Sequence, residues 1–98
     1  SNRSFISKMI HEGKKMYLLD MYLPTTADKL KIGYSVEKLQ WAITNEEDIW
    51  KYFIERKLLF STDTKMNDRF LDNAPFSKFY LEDDTQSPGR IGVWLGWQ

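Results

Sequence analysis

The sequence predicts an all-α fold, a helical array, on three observations. Residues 4–22 place Phe5, Ile6, Met9, Ile10, Gly13, Met16, Tyr17 and Met21 on one broad helical face, with Lys8, His11, Lys14 and Lys15 largely off it. Residues 45–59 repeat the pattern with a stripe of Ile49, Trp50, Phe53, Ile54 and Leu58. Ser87-Pro88 reads as a third helix start, followed by glycines at 89, 92 and 96 that lie near one face.

The first helix is expected from about Ser4 to Tyr22, stopping before Pro24 because a residue preceding proline is pushed out of the helical region. Gly13 falls within its apolar face at a cost of about 1 kcal/mol relative to alanine, so another backbone is expected against it. Glu12 sits at the edge of that face beside Phe5 and Leu19, where its carboxylate turns either inward or to water, and the bland reading is a solvated glutamate next to a packing glycine. Asp20 projects into the apolar arc and needs a partner if buried. His11, the one histidine, reads as a surface or satisfied residue.

Residues 25–33 make at most a short turn of helix closed by Gly33, after which Ser35 caps a short helix carrying Val36, Leu39 and Ile43. Thr44 with Glu47 three residues on has capping-box spacing, so a new helix is expected from Asn45 to about Leu59. Its acidic first turn (Glu46, Glu47, Asp48) and basic last turn (Arg56, Lys57) agree with the helix dipole, and Lys57 is expected to snorkel out of the apolar stripe. Thr64 to Leu71 reads as a short helix with Met66, Phe70 and Leu71, and Phe76 to Leu81 as extended chain. Glu82 to Gln86 reads as a solvated acidic tip rather than a metal site, and as the best candidate for disorder.

The last helix, with Ser87 capping and Pro88 at its first position, must pack its glycines against another backbone and is too short to span a bilayer. Arg90 in its first turn opposes the dipole and calls for a carboxylate partner, for which Glu12 is the candidate. The expected array has the Ser4 to Tyr22 helix at the centre, packed by the Asn45 to Leu59 helix and the helix from Pro88.

Composition bounds the rest. At 98 residues the chain is one domain or part of one, and 42% hydrophobic with 15% aromatic residues makes it globular. Fourteen basic and fourteen acidic residues cancel, which removes the long-range field that nucleic-acid binding or an anionic membrane surface would use. With no cysteine there is neither a disulfide framework nor a thiolate metal site, and no apolar run is long enough to cross a membrane. Any export signal is expected outside these residues, and the last helix is expected to continue past Gln98.

Four blocks carry a family resemblance. His11-Glu12-Gly13-Lys14-Lys15-Met16-Tyr17-Leu18-Leu19-Asp20, Leu30-Lys31-Ile32-Gly33-Tyr34, residues 45–55 and, above all, Ser87-Pro88-Gly89-Arg90-Ile91-Gly92-Val93-Trp94-Leu95-Gly96-Trp97-Gln98 occur in an order similar to the C-terminal part of the gliding-motility lipoprotein GldB family of Bacteroidetes. The resemblance implies a membrane-anchored lipoprotein of the cell envelope. It would have protein partners there, no nucleic acid, and membrane contact only through a lipid anchor outside this chain.

The family in turn resembles zinc peptidases of the gluzincin type, so the all-α array would be the C-terminal part of a zincin-like domain and the chain a single helical piece, residues 1–98, of something larger. In that second resemblance Glu12, Gly13 and Tyr17 stand at a Glu-Gly-x-x-x-Tyr pattern, which makes Glu12 a zinc ligand with Gly13 and Tyr17 supporting it, while Asp20 and Arg90 are structural or supporting residues on the reading of the residues above. The chain departs from the pattern by lacking a His-Glu-x-x-His pair, which would lie upstream of residue 1. The implied reading is a non-catalytic interaction module with no catalytic residue and no cofactor of its own, inactive as 98 residues, zinc being confined to a longer protein. The alternative is the carboxylate-bearing half of a zinc-dependent hydrolase. Apolar faces left by the missing part would be exposed or covered by another copy in a homo-oligomer.

Overall fold

The computed structural model describes residues 3–81 and 84–98 and contains helices but no strand among them. Helix α1 spans Phe5–Tyr22, with the Ser4 hydroxyl accepting from the Ser7 N–H at 3.3 Å as its cap. Its next unpaired donors, the N–H groups of Phe5 and Ile6, reach the carbonyls of Ser61 and Leu59, each at 2.7 Å. The loop through Leu59 and Ser61 thus closes the start of α1. Helix α2, Asp28–Ile32, ends at Gly33, which adopts the left-handed conformation at φ 78°.

Helix α3 is a single helix from Val36 to Glu55, not the two predicted, and the capping-box reading of Thr44 and Glu47 is corrected. Ser35 does cap it, accepting from the Lys38 N–H at 3.1 Å. Thr44 instead accepts from Gln40 Nε2 at 3.1 Å, and Asn45 Nδ2 donates to the Trp41 carbonyl at 2.8 Å, so both polar side chains are satisfied along an unbroken helix. Neither glycine nor proline interrupts the segment, and Ala42, Ile49 and Phe53 are buried on one face across the supposed break. Continuous burial outweighs a local capping pattern.

The end of α3 is also earlier than predicted. The Leu58 N–H donates to Phe53 at 2.9 Å and the Lys57 N–H to Ile54 at 3.1 Å, the paired reverse bonds of a Schellman cap, with Lys57 left-handed at φ 56°. Lys57 is therefore outside the helix rather than snorkelling from its stripe, and Ile54 is exposed.

Helix α4 covers Lys65–Phe70, as predicted within a residue or so. Residues 76–81 form no strand; instead the N–H groups of Phe79, Tyr80 and Leu81 converge on the Asp84 carboxylate at 3.2, 2.9 and 3.3 Å. Asp84, at the start of a 3-10 turn over Asp84–Gln86, is thus a loop anchor rather than a solvated tip, while Glu82 and Asp83 of that predicted tip lie outside the described residues.

Helix α5 is Ile91–Trp97 and starts later than the Ser87-Pro88 signal predicts. Ser87 and Ser77 are buried and bonded to each other's loops: Ser87 Oγ accepts from the Ser77 N–H at 3.1 Å, and Ser77 Oγ donates to the Pro88 carbonyl at 2.7 Å. The Ile91 N–H then donates to Ser77 Oγ at 3.3 Å, so the capping serine comes from fourteen residues upstream. Arg90 precedes the helix in the left-handed conformation, φ 54°, rather than occupying its first turn.

The core forms on α5, in which Ile91, Gly92, Val93, Trp94 and Leu95 are all buried. A helix apolar all round belongs in the interior, and α5 rather than α1 is the central element. One face of α1 (Phe5, Met9, Gly13, Met16) packs on it, whereas Ile10, Tyr17 and Met21 of the predicted buried face are 48%, 62% and 65% exposed. Phe5 also joins α1 to an aromatic cluster, edge-on to Phe53 at 5.4 Å and tilted against Phe70 at 5.8 Å, with Phe53 and Phe70 themselves 5.0 Å apart.

Replacing Lys57 by glycine relieves the left-handed strain at no cost in contacts. Urea unfolding of Lys57→Gly is expected to show a gain of about 1 kcal/mol.

Candidate functional site

The residues singled out in the sequence all belong to α1 or to the start of α5, and the way these two helices meet decides their surroundings. A Cβ on Gly13 would stand 2.2 Å from the Gly96 carbonyl oxygen, and one on Gly96 would stand 2.2 Å from that of Met9. The close backbone neighbour expected at Gly13 is therefore α5, reached glycine to glycine.

Just beyond the crossing, Asp20 holds the C-terminal ends together. Its carboxylate accepts from Lys31 Nζ at 2.7 Å and from Trp97 Nε1 at 2.8 Å, joining α1, α2 and α5 through one side chain. The hydrogen bonds from Lys31 and then Trp97 hold the Asp20 carboxyl below its ordinary value. The Lys31 side chain is itself 3% exposed, so this ion pair lies against the protein and not in open solvent. Neither partner was apparent from sequence; Trp97 lies seventy-seven residues away.

Glu12, next to Gly13, is partly exposed, with its carboxylate paired to Lys15 Nζ at 2.8 Å. Glu12 and Arg90 line the same cleft, of about 310 Å³, together with Lys15, Asp72 and Asn73. The expected Glu12–Arg90 pair is not formed. Arg90 Nη2 donates to the Ile32 carbonyl at 2.9 Å and Nη1 reaches Asn73 Oδ1 at 3.4 Å, so backbone and amide oxygens take the place of a carboxylate. Because Arg90 stands before α5, not inside its first turn, the opposition to the dipole that called for an acid is also reduced. Tyr34, whose hydroxyl donates to the Gly89 carbonyl, closes the other side of this loop, and burial holds its phenol well above the ordinary tyrosine value.

Asp72 contributes a second acid near Glu12. A small loss of hydration at this exposed residue first, then its interaction with Asp68 and the charges of Asp68 and Glu12, raise its carboxyl above the ordinary value. Tyr17 is exposed on the outer side of α1, and His11 is exposed beside Glu12 in an adjoining groove.

A zinc site needs three or four nitrogen, sulfur or oxygen ligands in tetrahedral array. Here Glu12 is engaged with a lysine, and among the described residues no three His, Cys, Asp or Glu side chains are placed to hold a metal ion together. The described residues around Glu12 do not supply a tetrahedral set of zinc ligands. What they form is a polar cleft flanked by structural clamps.

The described residues define a small all-helical protein in which Asp20, Ser77, Ser87 and Asp84 hold helix ends and loops together. The family model described as gliding motility protein GldB, a lipoprotein family by its label, matches residues 1–98, and the chain belongs to that family. It is a GldB-like, gliding-motility-associated protein of a cell-envelope lipoprotein family. No helix among the described residues is long and apolar enough to cross a membrane. No curated protein and no solved structure matches the chain.

The two acids respond oppositely to pH. Asp20, with its folded value lowered, contributes stability that is present above the ordinary carboxyl value of about 3.9 and disappears as pH falls through the folded value. Asp72, with its folded value raised, loses stability as pH rises from about 3.9 through its folded value. Chemical unfolding of Asp20→Asn at neutral pH should therefore show a loss, and of Asp72→Asn a gain, both differences vanishing in strong acid.

Proposed function

We propose that this chain is a non-catalytic interaction module of the gliding apparatus, docking a protein partner in the cell envelope on the outer face of α1. The observation that carries this reading is the stripe of Ile10, Tyr17 and Met21, adjoined by Leu18 and Tyr22. All five are exposed, and Tyr22 is the most so, at 80%. With α5 packed on the adjoining face of α1 at Gly13, this stripe stays exposed among the described residues, and an apolar surface of this kind marks an interaction site. Family membership supplies the context: a protein of gliding motility, reached through partners.

The test is a double substitution, Tyr17→Glu with Met21→Glu, introduced into the full-length protein of a gliding bacterium. Because both side chains are exposed, the protein is expected to remain folded and in the envelope fraction while surface spreading is lost. Normal spreading with a stably expressed variant would remove this face from the function.

The zinc-hydrolase reading gives Glu12 a ligand role only with two imidazoles from outside this chain. Calorimetric titration of the 98 residues with zinc is expected to show binding no tighter than an ordinary protein surface. A stoichiometric site of micromolar affinity or better would contradict it. In a longer protein with an upstream His-Glu-x-x-His, Glu12→Ala should remove most of the affinity.

A further inference from the structure

A second recognition site lies away from α1, where α3 faces the loop anchored by Asp84. Trp41, Asn45, Asp48 and Tyr52 of α3, with Phe79 and Asp84 opposite, line an open cleft of about 200 Å³. This is smaller than the roughly 300 Å³ at which sites for whole cofactors begin, and it suits a single side chain.

Its walls are aromatic: Phe79 stands edge-on to Tyr52 at 4.9 Å and tilted to Trp41 at 6.2 Å. Both charged residues that line it are aspartates, and among the described residues neither forms an ion pair. The Asp84 carboxylate accepts three backbone N–H groups, which fixes its position but leaves its charge in place. Asp48 is exposed, and Asn45 uses its Nδ2 on the Trp41 carbonyl, which leaves its Oδ1 as a further acceptor at the rim.

The neighbouring cations are engaged elsewhere: Lys38 Nζ donates to the carbonyls of Thr85 and Ser87, beside Asp84. Arg56 covers a face of Tyr52 at 4.8 Å, and Arg69 donates to its hydroxyl at 2.9 Å. The same ring cluster thus already takes guanidinium groups on its outer side. Aromatic walls attract a cation through their electron-rich faces, and carboxylates at the mouth add a charge of matching sign.

We infer that the cleft formed by Trp41, Tyr52 and Phe79 under Asp48 and Asp84 receives the side chain of a lysine from a partner polypeptide, its stem against the rings and its ammonium at the two aspartates. This deepens the reading of the chain as an interaction module and rests on it, but on a surface separate from α1. Its test is a binding measurement in solution, so its failure leaves the motility test of Tyr17 and Met21 untouched.

The probe is acetyl-Gly-Lys-Gly-amide, titrated into the isotopically labelled chain and followed by the Trp41 indole and Phe79 amide resonances. Acetyl-Gly-norleucine-Gly-amide, with the same stem and no charge, is the control. The lysine peptide should produce saturable shifts at Trp41 and Phe79, weakened by salt, and the norleucine peptide should bind about fivefold more weakly, the effect of about 1 kcal/mol at a partly exposed cation–aromatic site. Asp48→Asn, at an exposed position, should weaken lysine-peptide binding and leave norleucine-peptide binding and the rest of the spectrum unchanged. Equal binding of the two peptides, unsaturable shifts spread over the acidic surface, or full affinity in Asp48→Asn would each overturn the assignment.

Discussion

The structure depends on the contact between Gly13 and Gly96. With neither residue carrying a Cβ, the backbones of α1 and α5 approach until each glycine faces the other helix's carbonyls, at separations no side chain would allow. That approach lets α5, only seven residues long, be enclosed on all sides by Phe5, Met9 and Met16 of α1 and by the aromatic cluster of α3 and α4. An isolated helix of this length and glycine content would not form in water. Its stability comes from packing, and the packing from the two glycines.

Polar clamps fix α5 at both ends. Ser77 and Ser87 bind its entry loop, and Ser77 caps its first N–H; Asp20 takes Trp97 Nε1 at its exit and binds Lys31 of α2 at the same time. The result leaves α1 with two unlike faces, one committed to α5 and the other, through Ile10, Tyr17 and Met21, turned outward. The inner face serves folding, and the outer one is the face proposed above for a partner.

The parts legible in sequence were those set by local chemistry. The bounds of α1, the closure of α2 at Gly33, the α4 segment and the need for a backbone partner at Gly13 all follow from caps, breakers and periodicity, and the structure has each of them. Where a local rule competed with burial, burial prevailed: Thr44 and Glu47 have cap spacing but lie within α3, and Ser87-Pro88 resembles a helix start but serves as a buried loop anchor. The breadth of the apolar face of α1 misled in the same way, because periodicity does not distinguish residues that meet the core from those left exposed. The site residues divided similarly. That Asp20 needs a partner could be read from its position, but Lys31 and Trp97 could not, since spacing says nothing of contacts across the chain. Arg90 did require acceptors, and found carbonyl and amide oxygens in place of Glu12.

The central claim, that one glycine-to-glycine contact organises the fold, is tested most directly by a double-mutant cycle of Gly13→Ala and Gly96→Ala in urea unfolding. Each single substitution is expected to cost about 2 kcal/mol or more, since the added methyl meets backbone and not a side chain able to move. Once one methyl has forced the helices apart the second has less to displace, so the double variant should lose less than the sum, with a coupling of about 1 kcal/mol. Single losses below about 0.5 kcal/mol, or losses that simply add, would show that α1 and α5 are held by something other than this contact.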